Sequence, residues 1–222
     1  MNQTMKSEVS LRGRSKGRAV VRDKQATTAS ILSAAEAEFA RYGLQGTRVE
    51  AIASAAGVTK GLIFHYFENK EHLFEAVLSS ASEPVRAVLA EVDASDASPA
   101  DLLRLLLERF LQAVTERPLA HLVFTLEGIQ NNGEHYRKLK LPSLYKTIEH
   151  LLAKGVKQGC FRDLDTTHAA INIVGLCMFY FCSANVYPAP DLKCDPFDKE
   201  VLAHHAREVM RFVEASTAVV KE

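Results

Sequence analysis

The sequence predicts an all-α fold, and three observations carry that prediction. Apolar residues recur at three- and four-residue spacing along most of the chain, no stretch shows convincing period-two alternation, and helix caps and glycine stops punctuate the pattern. At 222 residues, 47% hydrophobic and 24% charged, the chain has ordinary globular composition. It is long enough to bury a substantial core, as one large domain or two small ones.

Residues 1–24 are polar and basic, with Arg12, Arg14, Lys16, Arg18, Arg22 and Lys24 spaced along a Gly- and Ser-containing stretch, and they are expected to form a disordered arm. From about Lys24 a first helix is predicted, because Ile31, Leu32, Ala35, Phe39 and Tyr42 keep helical spacing until Gly43 stops it. Thr47 to Glu50 has the Thr-x-x-Glu form of a capping box, in which Thr47 accepts the Glu50 backbone N–H and the Glu50 carboxylate reaches back. Behind it Val49, Ile52, Ala53 and Ala56 form one apolar stripe, ended by Gly57. Thr59 caps a third segment, Lys60 to Phe67. Asn69 caps a fourth, in which Leu73, Phe74, Val77, Leu78 and Ala81 begin a long helix. Further helices are predicted over 99–116, 119–130, 134–158 with a kink at Pro142, 165–186 and 197–216. The resulting division is an arm over 1–24, a small helical domain over 25–80 and a larger one over 81–222.

Formal net charge is zero, yet residues 1–70 hold eleven Lys/Arg against six Asp/Glu, while 71–222 hold sixteen against twenty-one. Such asymmetry is expected where one part of a chain meets a polyanion and the other does not. Cys160, Cys177, Cys182 and Cys194 show no Cys-x-x-Cys spacing, and the first 25 residues lack the apolar stretch of a signal peptide. Both point to a reduced, cytoplasmic protein. The segment "AAINIVGLCMFYFCSANVY" is the most apolar, and it reads as a buried core helix rather than a membrane span. His150, His204 and His205 lack metal-ligand spacing, and there is no nucleophile elbow or phosphate loop, so neither a metal, a cofactor nor an enzyme activity is expected.

Two short helices joined by "AAGVT" form a helix-turn-helix, spanning about 48–67, whose second helix is the element presented to a DNA major groove. On a helical wheel Ile63 and Phe67 point with Val58 and Ile52 toward a small core, while Lys60, Gly61, Phe64 and His65 take the other face. Phe74 joins the core. Glycine inside a helix costs roughly 1 kcal/mol relative to alanine, so Gly61 marks a place where something large approaches the backbone. Lys60 can donate to guanine O6 and N7 or hold a phosphate.

The span "GTRVEAIASAAGVTKGLIFHYFENKEHLFEAVL", 46–78, resembles the DNA-binding domain of the TetR family of bacterial transcriptional regulators. The threonine opening the second helix, Ile52-Ala53, Ala56-Gly57-Val58, Thr59, Lys60-Gly61, the aromatic cluster ending at Phe67 and Lys70-Glu71 before Leu73 carry the likeness. It implies that Thr47, Tyr66 and Lys70 hold phosphates at the groove edges, with Arg48 beside them, and that Thr59, Lys60, Gly61, Phe64 and His65 face the groove. Phe64 stands where the family commonly has tyrosine, so its contact is apolar, as with a thymine methyl. His65-Tyr66 inverts the frequent tyrosine-histidine order. The basic arm is either a solubility feature or a source of minor-groove contacts.

Residues 81–222 resemble the family's effector-binding and dimerisation domain only in helical architecture. The resemblance implies a homodimer on double-stranded, palindromic operator DNA, a repressor released by a small-molecule effector, with the fourth helix as the lever. The alternative is a ligand-independent DNA-binding protein controlled by a protein partner. Candidate effector-lining residues are Phe110, Phe124, Glu127, Tyr145, Asn172 and Phe179, each of which could equally be plain core; Asn172 in an apolar helix would need a hydrogen-bond partner. The run Met178 to Phe181 is too wide for one apolar stripe and suggests a dimer interface.

Overall fold

Ile31, Ala35 and Phe39 repeat at four-residue spacing and are fully buried, which turns one face of the first helix inward. The computed structural model describes the backbone of residues 5–140, 143–183, 195 and 197–219, and side chains from residue 24 onward. Helix α1 spans Met5–Gly46 and so takes in most of the expected arm, whose side chains through 23 lie outside the described residues. Gly43 breaks it, with φ 67° and ψ −178°, where the spacing predicts a stop. Helices α2 (Val49–Ala56), α3 (Lys60–Phe67) and α4 (Lys70–Asp93) follow.

The chain forms two compact units, Met1–Val77 and Leu78–Glu222, with the boundary inside α4. In the first, Ile31, Phe39, Leu44, Ile52, Ile63, Leu73 and Phe74 close a small core. Phe39 and Phe74 meet edge to face, centroids 4.9 Å apart, a favoured aromatic geometry. Phe67, expected in this core, is only half-buried and lies tilted against Tyr66 at 6.3 Å.

The second unit holds α5 (Pro99–Glu116), α6 (Pro118–Asn131), α7 (Glu134–Lys138), α8 (Leu144–Lys157), α9 (Thr166–Ser183) and α10 (Lys199–Thr217). No strand occurs among the described residues. Leu106, Leu107 and Leu111 of α5, Ile148 and Leu152 of α8, Val174, Cys177 and Phe181 of α9, and Leu202, Val209 and Val213 of α10 share one core. Although α9 is long and apolar enough to cross a membrane, these buried positions place it in that core. Where the spacing predicts one kinked helix over 134–158, there are two. Residues 141–142 lie outside the described part, but a proline at 142 disfavours helical conformation in the residue before it and lacks an N–H, and Ser143 starts a fresh helix by accepting the Lys146 N–H at 3.4 Å. Inside α4, Pro84 leaves the Ser80 carbonyl without its helical donor, and the Arg117 guanidinium supplies one at 3.1 Å.

Candidate nucleic-acid interface and effector cavity

Gly57 ends α2 in the left-handed region, φ 67° and ψ 31°, and its N–H reaches the Ala53 and Ser54 carbonyls. Thr59 then returns to extended backbone, and its Oγ1 accepts the Leu62 N–H at 3.2 Å, which starts α3. Fully buried Ile52 and Ile63 hold the two helices together. The exit is equally tight. Glu68 takes φ 63° and ψ −52° while the Asn69 N–H reaches the Phe67 carbonyl at 2.7 Å, and the Asn69 Oδ1 accepts the His72 N–H at 2.7 Å to cap α4. Glutamate is no positive-φ residue by habit, so the sequence carries no sign of that turn.

The expected capping box does not form. Arg48 is the N-cap of α2 and makes no side-chain cap bond. Thr47 is 3% exposed, and its hydroxyl donates to the Gly43 carbonyl at 2.7 Å, closing the break in α1. With that proton committed inward, the phosphate contact that the resemblance implies is not one the Thr47 side chain offers here. The Glu50 carboxylate instead accepts from Lys60 Nζ at 2.6 Å, a pair in which both side chains are at least half exposed. Lys60 holds the Glu50 carboxyl below the usual carboxylate range. The same ammonium lies 5.5 Å from the centre of the Phe64 ring. Glu50 is thus a member of this surface that sequence reasoning assigned only to a cap.

Thr59, Lys60, Gly61 and His65 are exposed on α3, Arg48 is exposed at the start of α2, and Phe64 and Tyr66 are half-buried. The Tyr66 ring sits edge-on to His65 at 5.6 Å and under Lys24 Nζ at 5.6 Å. Lys70 Nζ donates to the carbonyls of Thr47 at 3.2 Å and Gln45 at 3.5 Å, so its charge is fixed beside the loop before α2. A Cβ added at Gly61 would meet nothing closer than Thr59 Oγ1 at 4.0 Å. Nothing within the protein therefore requires glycine there.

The second unit holds a half-open cavity of about 270 Å³. Phe110, Phe124, Glu127 and Tyr145 line it, together with Ser82 and Arg86 of α4 and Tyr136 of α7. The last three escaped the sequence because α7 is too short to show periodicity and α4 reads as one continuous stripe. Asn172 and Phe179 do not line the cavity. Both are exposed, since α9 turns Ile173, Val174, Cys177 and Phe181 inward, and Asn172 needs no buried partner. Glu127, 1% exposed, is held by the backbone N–H groups of His135 at 2.7 Å and Tyr136 at 3.2 Å and by the Asn131 amide at 2.7 Å. Burial raises the pKa of both Tyr136 and Tyr145, so the phenols stay neutral, and neither hydroxyl has a hydrogen-bond partner among the described residues. His121, 3% exposed, donates from Nδ1 to the Pro118 carbonyl at 2.6 Å and packs on Phe181 at 4.6 Å, and burial pushes its pKa down to about 4.

Residues 31–77 match the model of bacterial regulatory proteins, tetR family, and 99–213 match the tetracyclin repressor-like C-terminal domain. The chain is 31% identical over 168 residues to the HTH-type transcriptional repressor NicS of Pseudomonas putida, covering 72% of this chain and 79% of that protein. It is 32% identical over 155 residues to the HTH-type transcriptional regulator RutR of Escherichia coli, covering 69% and 71%. Among solved structures, KstR2 of Mycobacterium tuberculosis superposes with a TM-score of 0.67 at 20% identity, over 87% of this chain and 95% of that one. FadR from Bacillus halodurans does so with 0.59 at 23%, over 83% and 94%. NicS, RutR and KstR2 are regulators of transcription, not enzymes. With a helix-turn-helix in its first unit and a matching all-helical second unit, the chain belongs to the TetR family of DNA-binding bacterial transcriptional regulators.

Proposed function

We propose that the protein is a cytoplasmic, homodimeric repressor that reads a palindromic operator through α3 and releases it when a small molecule enters the cavity of the second unit. Gly61 carries the first half of this reading. Glycine is retained at an open helical position where alanine would favour the helix by roughly 1 kcal/mol, which fits a backbone that another surface must approach closely. Lys60, Phe64, His65 and Thr59 then face the groove, with Arg48, Tyr66 and Lys70 at its edges. The name of NicS as a transcriptional repressor supports repression.

The cavity supports the second half. Apolar walls from Phe110, Phe124, Val174 and Met178 with a few converging polar groups have the character of a small-molecule site. Neutral phenols at Tyr136 and Tyr145 suit a compact, mostly apolar effector bearing a hydrogen-bond acceptor. Ser82 and Arg86 place α4 in the cavity wall, and α4 begins with Lys70, so ligand binding and DNA binding bear on one helix. Dimerisation is supported by apolar side chains left in solvent on α9 and α10: Ile171 is 52%, Phe179 67% and Phe212 59% exposed.

The test begins with selection of bound duplexes from a randomised pool and mapping of sites in the genome. A metabolite panel is then scored for both a rise in melting temperature and release of the selected duplex. Compounds that do both support the reading. A panel of compounds related to the products of the neighbouring genes that does neither favours control by a protein partner.

A further inference from the structure

From the Glu50–Lys60 ion pair we infer that Glu50 is a specificity-determining residue: it withholds the Lys60 charge from DNA in general and yields it only to a matching base step. This rests on the groove-facing reading of α3 given above. An acidic side chain on a surface that meets a polyanion is unfavourable by simple electrostatics, and it needs a reason to be there. Here the reason lies in its partner. Lys60 Nζ is 2.6 Å from Glu50 Oε1 and 5.5 Å from the Phe64 ring, so the ammonium is restrained between a carboxylate and an aromatic face. Neither residue is needed for the fold, since both are exposed and the helix-turn-helix is closed by Ile52, Ile63 and the Thr59 cap.

Non-specific affinity comes from phosphate neutralisation, and each neutralised phosphate contributes about −0.9 to the slope of log affinity against log salt. While the pair holds, Lys60 brings no net charge to a random phosphate. In a matching site the ammonium exchanges the carboxylate for guanine O6 and N7, and Glu50 is then free to accept from a cytosine amino group in the same groove. A correct base step replaces what the ion pair gave up, whereas a wrong one does not. Discrimination by a built-in competitor of this kind penalises the wrong partner rather than strengthening the right one.

The experiment uses Glu50→Gln, which keeps the shape of the side chain and removes its charge, alongside Lys60→Ala and the double variant. Each is titrated against a duplex selected with the wild-type protein and against a random duplex, over a salt series, with melting temperature as the check on folding. The inference predicts that Glu50→Gln binds random DNA several-fold more tightly, that its salt slope there steepens by about one, and that its preference for the selected duplex narrows by about tenfold. In the Lys60→Ala background the same substitution should have a much smaller effect on slope and preference, limited to what Glu50 contributes through its own contact with cytosine. A Glu50→Gln protein with unaltered slope and preference overturns the inference. So does an effect of equal size without Lys60, because Glu50 would then act by plain repulsion. Should Lys60→Ala by itself leave binding to both duplexes untouched, the groove-facing placement of α3 fails, and the inference with it.

Discussion

In the helix-turn-helix unit two cations of the proposed DNA face are already held by the protein: Lys60 by Glu50 at 2.6 Å, Lys70 by the Thr47 and Gln45 carbonyls. In the unit from Leu78 onward, Tyr136 and half-exposed Tyr145 line a cavity of about 270 Å³, and neither hydroxyl has a hydrogen-bond partner among the described residues. A surface that meets a polyanion gains from charges fixed in place, since every cation on it is attracted to every phosphate and selectivity comes from restraint. A half-open cavity works in the other direction. Its walls are mostly apolar, and selectivity comes from a few donors left for a ligand to satisfy.

The sharpest way to separate the units is by proton. His121 of the second unit is buried neutral, with a pKa near 4 against an ordinary 6.5. In the unfolded chain it binds a proton at a higher pH than in the fold, so its contribution is intact above about 6.5 and is lost as pH falls from there toward 4. The full loss is about 3 kcal/mol, at 1.36 kcal/mol per unit. His121→Asn, which can still donate to the Pro118 carbonyl, should flatten this part of the acid unfolding curve. Hydrogen exchange should place the change in α6 and α9 and leave α2 and α3 as they were. A wild-type curve identical to that of the variant would contradict the buried neutral ring.

A smaller effect is expected at Gly155, where an added Cβ would lie 2.1 Å from the Phe161 ring. Phe161 is 7% exposed and has little room to withdraw, so Gly155→Ala should destabilise the second unit by about 2 kcal/mol. Calorimetry measures the loss, and Phe161→Leu in the same chain should recover part of it. Equal melting of the single variant and the wild type would show that the ring yields freely. Smaller again is Arg117→Met, which returns the Ser80 carbonyl to water or leaves it unpaired beside Pro84. About 1 kcal/mol should be lost, and exchange in the middle of α4 should rise. If the loss appears instead in α2 and α3, the division of the molecule into two units is too sharp.

What the sequence shows follows the same division. The helix-turn-helix is coded locally: the Gly57 stop and the Thr59 and Asn69 caps each act within four residues, and all three form as read. The capping box at Thr47 failed because its two residues found better partners elsewhere. Thr47 turned back to Gly43, and Glu50 reached Lys60 on the next helix. In the second unit the helices were legible from spacing, but the cavity was not. Phe110, Phe124, Glu127 and Tyr145 come from three different helices, and nothing in their spacing says that they converge or that Asn172 and Phe179 turn away. Arg86 and Tyr136 join them only through tertiary packing. Glu68 at positive φ lies beyond any residue preference.

The measurement that bears most directly on the account is DNA binding by Gly61→Leu, followed by fluorescence anisotropy on a labelled duplex selected with the wild-type protein. Open space at the Gly61 Cβ lets the larger side chain stand in solvent, and leucine favours a helix over glycine, so melting temperature should be no lower than that of the wild type. If α3 enters the groove with Gly61 against the DNA, affinity should fall by about 100-fold, close to 3 kcal/mol. A folded Gly61→Leu protein that binds the duplex as tightly as the wild type would contradict that placement.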